Sequence, residues 1–199
     1  MSKIGFYGGC FNPPTNAHIV FAKTSIEKYN LDKVVFVPVN SNYGKDSLAD
    51  EKHRYNMLKI LCIQNHKFEV SDMEFKIKKK LFAIDTFKII NDSYRNDDIY
   101  FLMGSDNLNT LPSWKCSEQL IRNFKYIILE RDQFISEDII NNNDLLFSNK
   151  YRFNLMKTNL NTNISSSIVR DKIKNNDNIT SLIPERIKEY IYQNDIYVN

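Results

Sequence analysis

Short apolar runs alternate along this chain with stretches in which apolar residues recur every three or four positions, the rhythm of strands and crossover helices. Residues 4–7 form the first predicted strand. The β-branched run 34–39 reads as a buried parallel strand, and 68–70, 99–103 and 126–129 as further strands. Between them, helical spacing covers 15–29, with Ile19, Ala22, Ile26 and Tyr29 on one side. A second helix covers 50–63, with Asp50 as N-cap and Tyr55, Leu58 and Cys62 on one face. Helices are also predicted over 81–90, 113–121, 165–174 and 184–194, the last opened by Pro184. This alternation predicts an α/β chain: a Rossmann-like doubly wound parallel sheet with right-handed crossovers and a small C-terminal helical part over 164–199. One domain spanning 1–199 is expected, and no internal repeat is visible. From 136 to 163 asparagine becomes dense and the helical signal weakens, which predicts a surface loop or poorly packed segment rather than a domain boundary.

Composition changes this picture little. At 199 residues, 42% hydrophobic and 13% aromatic, the chain is long and apolar enough to bury a core. A net charge of +3, with both signs dispersed, argues against a nucleic-acid partner and leaves room for a small anionic ligand. Cys10, Cys62 and Cys116 are odd in number and widely spaced, so they read as free thiols of a reducing compartment rather than as a disulfide frame or zinc site. A strand begins almost at the first residue, so neither a signal nor a transit peptide is expected. No apolar run reaches membrane-spanning length. A cytoplasmic protein without membrane attachment is the expectation, and a homo-oligomer is left open.

Candidate chemistry concentrates in Gly8-Gly9-Cys10-Phe11-Asn12-Pro13-Pro14-Thr15-Asn16-Ala17-His18. Glycines after a first strand let a phosphate approach the backbone, and the helix start that follows offers unpaired N–H groups and partial positive charge. The spacing is neither GxGxxG nor GxxxxGK[ST], so the dinucleotide and P-loop fingerprints both fail. Thr15 and His18 share the first helical turn and face the space above the glycines. Taken singly, Thr15 could be only a cap and His18 could pack against the sheet. Together with the glycines they read as a phosphate site with a titratable donor. A second cluster, Ile164-Ser165-Ser166-Ser167-Ile168-Val169-Arg170, puts a hydroxyl-rich helix start one turn before a guanidinium, a suitable cradle for a polyphosphate.

These two stretches resemble the (H/T)xxH and I-S-S-T-x-x-R signatures of the nucleotidyltransferase superfamily, and within it the nicotinate/nicotinamide mononucleotide adenylyltransferases. The middle of the chain extends the resemblance. Glu74 with Phe82-Ala83-Ile84-Asp85-Thr86 is similar to the family's D-x-E and S-Y-T-x-D-T segments, Gly104-Ser105-Asp106-Asn107 to its G-A-D-N, and Trp114 stands at the family's tryptophan. The likeness covers nearly the whole chain and is weakest over 136–163. It implies an enzyme of NAD biosynthesis that transfers an adenylyl group from ATP to a pyridine mononucleotide, with Mg2+ carried on the ATP and no protein-held metal.

The resemblance also implies roles. His18, assisted by Thr15, would stabilise the reacting α-phosphate. Gly8, Gly9, Cys10, Phe11, Gly104, Asp106, Ile164, Ser165, Ser166 and Arg170 would hold ATP, with Arg170 on the departing phosphates. Asn40, Phe82, Ala83, Asp85, Thr86, Asp106 and Trp114 would surround the mononucleotide, with Trp114 stacked on the pyridine. Lys45 lies in a loop that in relatives brings a basic residue over the phosphates. Arg54 reads as packing, tying loops together. Two departures stand out: Thr15 occupies the position of a histidine in many bacterial relatives, and Phe82-Ala83 replaces a tyrosine–threonine pair. Both leave the choice between the deamidated and amidated mononucleotide open. The nearest alternatives are a phosphopantetheine adenylyltransferase or other cytidylyltransferase-like enzyme, and a nucleotide sensor without turnover.

Overall fold

Six strands pair in parallel: β1 (Lys3–Gly9), β2 (Lys33–Pro38), β3 (Phe68–Val70), β4 (Asp98–Gly104), β5 (Lys125–Leu129) and β6 (Phe153–Met156), in the spatial order β3-β2-β1-β4-β5-β6. The computed structural model describes residues 1–44, 48–130, 134–157 and 164–198. Helices α1 (Asn16–Tyr29), α2 (Glu51–Ile63) and α3 (Ala83–Ser93) connect the first four strands; α4 (Ser105–Thr110) and α5 (Ser117–Asn123) lead to β5, and α6 (Ser136–Asn141) and α7 (Asp144–Ser148) to β6. Helices α8 (Ser166–Lys174) and α9 (Glu185–Gln193) close the described fold. Among the described residues no helix is long and apolar enough to cross a membrane.

Alternation along each strand builds two cores. Tyr7, Phe36, Leu102 and Ile127 face one layer with Phe21 and Ile26 of α1, Met57 and Leu61 of α2, Val169 and Ile173 of α8, and Ile187 and Ile191 of α9. Their neighbours Phe6, Val35, Phe101 and Ile128 face the other, with Ile84 and Ile90 of α3, Leu108 of α4, Leu120 of α5, Ile140 of α6 and Leu146 of α7. Both faces are therefore covered, which is why these strands are nearly continuous in apolar residues. The result is the Rossmann-like doubly wound sheet that the alternation predicts, with helices after the last strand.

Several expectations shift. The first strand runs on to Gly9, because backbone pairing with β2 continues through Gly8 opposite Val37 and Gly9 opposite Pro38 and needs no side chains. Predicted helix 113–121 is replaced by a 3-10 turn at Leu111–Ser113 and by α5, separated by Cys116 in the left-handed region at φ 57°. Helix α4 has no counterpart in the prediction. The largest correction concerns 136–163, which is not a loose loop as far as 157. It carries α6, α7, a 3-10 turn and β6, with Leu146 and Met156 fully buried. Its asparagines make local and cross-strand ties: Asn143 Oδ1 accepts from the Leu146 amide at 3.0 Å, and Asn154 Nδ2 donates to the Tyr126 carbonyl at 3.0 Å. On α2 the buried face is Arg54, Met57, Leu58 and Leu61, rotated from the expected one; Cys62 is only partly covered and Tyr55 half-buried.

Candidate active site

All strands are parallel, so their carboxyl ends share one edge, and the chain order reverses direction between β1 and β4. That switch point is where open α/β sheets bind ligands. Gly8 is exposed there, and a Cβ added to it would meet nothing within 4 Å. The fold itself therefore does not require glycine at this position; the room above it is open to a ligand. Gly9 is different: an added Cβ would come within 3.2 Å of the Phe11 ring, which folds back beneath it. Phe11 is buried at φ 46° and lies edge-on to His18, with ring centroids 5.2 Å apart.

The loop that follows is tied down on every side. Fully buried Arg54 donates from Nη1 to the Cys10 carbonyl at 3.1 Å and from Nε to the Ala49 carbonyl at 2.9 Å. The Asn12–Pro13 peptide bond is cis, and Asn12 is buried. Its Oδ1 accepts from the Ala49 amide at 3.0 Å and from the Tyr197 hydroxyl at 2.7 Å. Burial pushes the Tyr197 phenol well above its ordinary pKa, with Arg170 and Arg54 acting the other way, so it stays a proton donor.

Thr15 is the N-cap of α1 and His18 is its third residue, in a reciprocal capping box. His18 takes the place that glutamate or glutamine usually fills in this motif. The Thr15 amide donates to His18 Nδ1 at 2.9 Å, and Thr15 Oγ1 lies 2.8 Å from the same nitrogen. A ring that accepts at Nδ1 carries its proton at Nε2 when neutral, so the cap also sets the tautomer. One spacing thus stops the helix fraying and fixes a donor at the switch point.

Residues from the far end of the chain meet this loop. Ser165 caps α8, accepting from the Ile168 amide at 3.3 Å. Ser166 Oγ donates to the Pro13 carbonyl at 2.7 Å, and Arg170 Nη1 donates to the Asn12 carbonyl at 2.8 Å. Ile164 leads into the same helix start, half-buried. The two motifs are therefore in direct contact although 153 and 158 positions separate the bonded residues.

On the other side of β1, the expected mononucleotide residues divide into two groups. Asn40 and Thr86 are buried. Asn40 Nδ2 donates to the carbonyls of Glu74, Ile77 and Lys79, and the Thr86 hydroxyl donates to Glu74 Oε1 at 2.6 Å. Their side chains thus hold the 74–79 segment. Burial raises the Glu74 carboxyl above the usual carboxylate range, opposed by its bonds from Thr86 and the Asn40 amide and by the Arg54 charge. Asp85 accepts from the Phe82 amide at 3.0 Å and caps α3. Phe82 is exposed and Ala83 partly buried, while Gly104 and half-buried Asp106 open α4 at the carboxyl end of β4. Trp114, half-buried, donates from Nε1 to Thr110 Oγ1 at 3.1 Å. Lys45 lies outside the described residues.

The cytidylyltransferase-like family model matches residues 6–172. The chain is 32% identical to the probable nicotinate-nucleotide adenylyltransferase of Clostridium acetobutylicum, covering 100% of both. The chain belongs to the cytidylyltransferase-like family, in its nicotinate-nucleotide adenylyltransferase branch. It is also 28% identical to the nicotinate-nucleotide adenylyltransferase of Bacillus subtilis over 99% of each. A solved structure of Plasmodium falciparum nicotinic acid mononucleotide adenylyltransferase complexed with NaAD matches at TM-score 0.82 and 26% identity, covering 99% of this chain and 98% of that one.

Within this member of the adenylyltransferase family, sequence reading missed Tyr197 and Asn12 as structural partners. Asn12 sits inside the first motif, but nothing local marks its side chain as a hub. Tyr197 offers no sequence signal, because its bond spans 185 positions. Tyr197→Phe removes only the hydroxyl and is expected to lower stability by about 1 kcal/mol, read from the urea midpoint at unchanged slope. A midpoint equal to wild type would mean that the Tyr197 hydroxyl adds nothing to the hold on Asn12.

Proposed function

We propose that this chain joins the adenylyl group of ATP to nicotinate mononucleotide and releases pyrophosphate. The 5′-phosphate oxygen of the mononucleotide attacks the α-phosphorus of ATP in line. A new P–O bond forms there, and the bond to the β-phosphate bridging oxygen breaks. Chemistry of this kind depends on positioning and on charge stabilisation rather than on a protein nucleophile, so no role is assigned to the Cys10 thiol.

The observation that carries the reading is the contact between the two motifs: Arg170 on the Asn12 carbonyl and Ser166 on the Pro13 carbonyl, beside the Thr15–His18 cap. It supports a single phosphate channel with a donor at each end. His18 Nε2 would hydrogen-bond the α-phosphate oxygen as charge develops, with Thr15 holding the ring. Arg170, with Ser165 and Ser166, would hold the β- and γ-phosphates. Gly8, Gly9, Cys10, Phe11, Gly104 and Ile164 would line the nucleotide, and Asp106 would accept from ribose hydroxyls. Phe82, Ala83 and Trp114 would face the pyridine, with Asn40, Asp85 and Thr86 shaping that wall from behind and Lys45 reaching the phosphates. Residues 1–199 would act as one catalytic unit in the cytoplasm. Mg2+ would arrive on the triphosphate; among the described residues no three His, Cys, Asp or Glu side chains gather to hold a metal. The complex of the Plasmodium relative with NaAD, the dinucleotide this reaction yields, supports the choice of acceptor.

Pyrophosphate release from ATP tests the reading, with nicotinate mononucleotide, nicotinamide mononucleotide or phosphopantetheine as acceptor. Release is expected to be fastest with nicotinate mononucleotide. Preference for phosphopantetheine would point to a sister enzyme, and no release with any acceptor would favour a nucleotide sensor.

A further inference from the structure

Two ammonium groups converge on one exposed ring. Lys115 Nζ stands 4.2 Å from the centroid of Phe82, and Lys80 Nζ stands 5.6 Å from it. Phe82 is 38% exposed, so the ring and the two ammonium groups beside it lie at the protein surface. Among the described residues neither lysine forms an ion pair, whereas Lys33 and Lys125 are paired with Glu69 and Asp98.

The arrangement is held by side-chain hydrogen bonds on each segment. Asn40 clamps the segment before Lys80 by donating to the carbonyls of Ile77 at 3.1 Å and Lys79 at 2.9 Å. Asp85 fixes the Phe82 amide at 3.0 Å. Lys80 also lies beside the loop after β2, its Nζ 3.6 Å from where a Cβ on Gly44 would stand. Lys115 directly follows Trp114, whose indole is tied to Thr110 at 3.1 Å. Two cations thus reach the same ring from separate, anchored segments. A phenyl ring attracts cations only through its face and gives them no counter-charge. An incoming carboxylate would supply one.

We infer that Lys115, seconded by Lys80, reads the carboxylate of the pyridine substrate and sets the preference for nicotinate over nicotinamide mononucleotide. This rests on the adenylyl-transfer reading above. The two acceptors differ at one substituent: a carboxylate with full negative charge, or a carboxamide with none. Cations around Phe82 stabilise only the first. Phe82 itself has no hydroxyl with which to hydrogen-bond either substituent, so its side chain offers no discrimination that the charges beside it do not supply. The same physics makes the preference sensitive to salt, because an exposed pair is screened.

The test compares kcat/KM for the two mononucleotides in wild type, Lys115→Met, Lys115→Arg and the Lys80→Met/Lys115→Met double variant. The nicotinate-to-nicotinamide ratio is expected to fall about five- to tenfold in Lys115→Met. It should fall further in the double variant and return largely in Lys115→Arg. Lys125→Met, which removes a cation at the amino-end edge of the sheet, serves as the control with the ratio of wild type. Calorimetric binding of each mononucleotide gives the same comparison without turnover. A wild-type ratio that drops between about 50 and 500 mM salt, with a flat response in the double variant, would add support. An active wild type whose ratio survives Lys115→Met and the double substitution overturns the inference and leaves adenylyl transfer standing. A wild type that releases no pyrophosphate with either mononucleotide overturns both.

Discussion

Turnover is expected to fall by about 10²–10³-fold when His18 is replaced by alanine, the loss typical of one donor aimed at developing charge. The ring's Nδ1 accepts the Thr15 amide at 2.9 Å, so the nitrogen that carries a proton in the neutral ring is Nε2. A donor held by the cap of its own helix needs no reorganisation when charge builds on the phosphate. The substitution also removes half of the capping box, at a cost of roughly 0.5–2 kcal/mol in stability. His18→Gln separates the two effects, because glutamine is an ordinary capping-box residue at this position. It should restore the urea midpoint while turnover stays at least about tenfold below wild type. Near-normal turnover in folded His18→Ala would remove the imidazole from the mechanism.

Arg170→Ala is expected to lower kcat/KM for ATP by about 10²-fold, in keeping with loss of a charge-assisted contact to phosphate. One arm of the guanidinium is held by the Asn12 carbonyl at 2.8 Å and another lies 3.4 Å from Ser167 Oγ. A planar fork can keep that anchor and still present N–H groups to an anion; an ammonium cannot do both in one geometry. Arg170→Lys should therefore recover less than a tenth of the loss despite keeping the charge. Steady-state kinetics with ATP varied at saturating mononucleotide decides it, and full rescue by lysine would mean that charge alone matters.

The parts of the site that were legible in the sequence are local. Thr15 and His18 are three residues apart, so a single helical turn brings them together whatever the rest of the fold does. The same holds for Ser165 capping α8 and for Asp50 capping α2. Where the reading failed, the deciding contact was remote or carried by backbone. Gly8 and Gly9 punctuate the sequence like a turn, yet β2 pairs with them through main chain alone. Strand β6 is four residues long in an asparagine-rich context, and it exists because β5 offers it an edge. Helix α4 is six residues of weak helix formers and was invisible to periodicity. The bonds that Thr86 and Asn40 make to Glu74 and the 74–79 segment were likewise not legible, because only packing brings those groups together.

By itself, the sequence determined the α/β class, the capped starts of α1, α2 and α8 and the two phosphate-suited motifs, because each depends on residues within one or two turns of each other. Only the tertiary structure decided that Asn12 and Pro13 receive Arg170 and Ser166, and that Tyr197 locks Asn12. It alone decided that Lys80 and Lys115 meet over Phe82. Lys80 apart, which stands two residues from Phe82, each of those contacts joins segments between 33 and 185 positions apart. Burying both faces of the sheet brings them together at its carboxyl edge, and no local pattern records that.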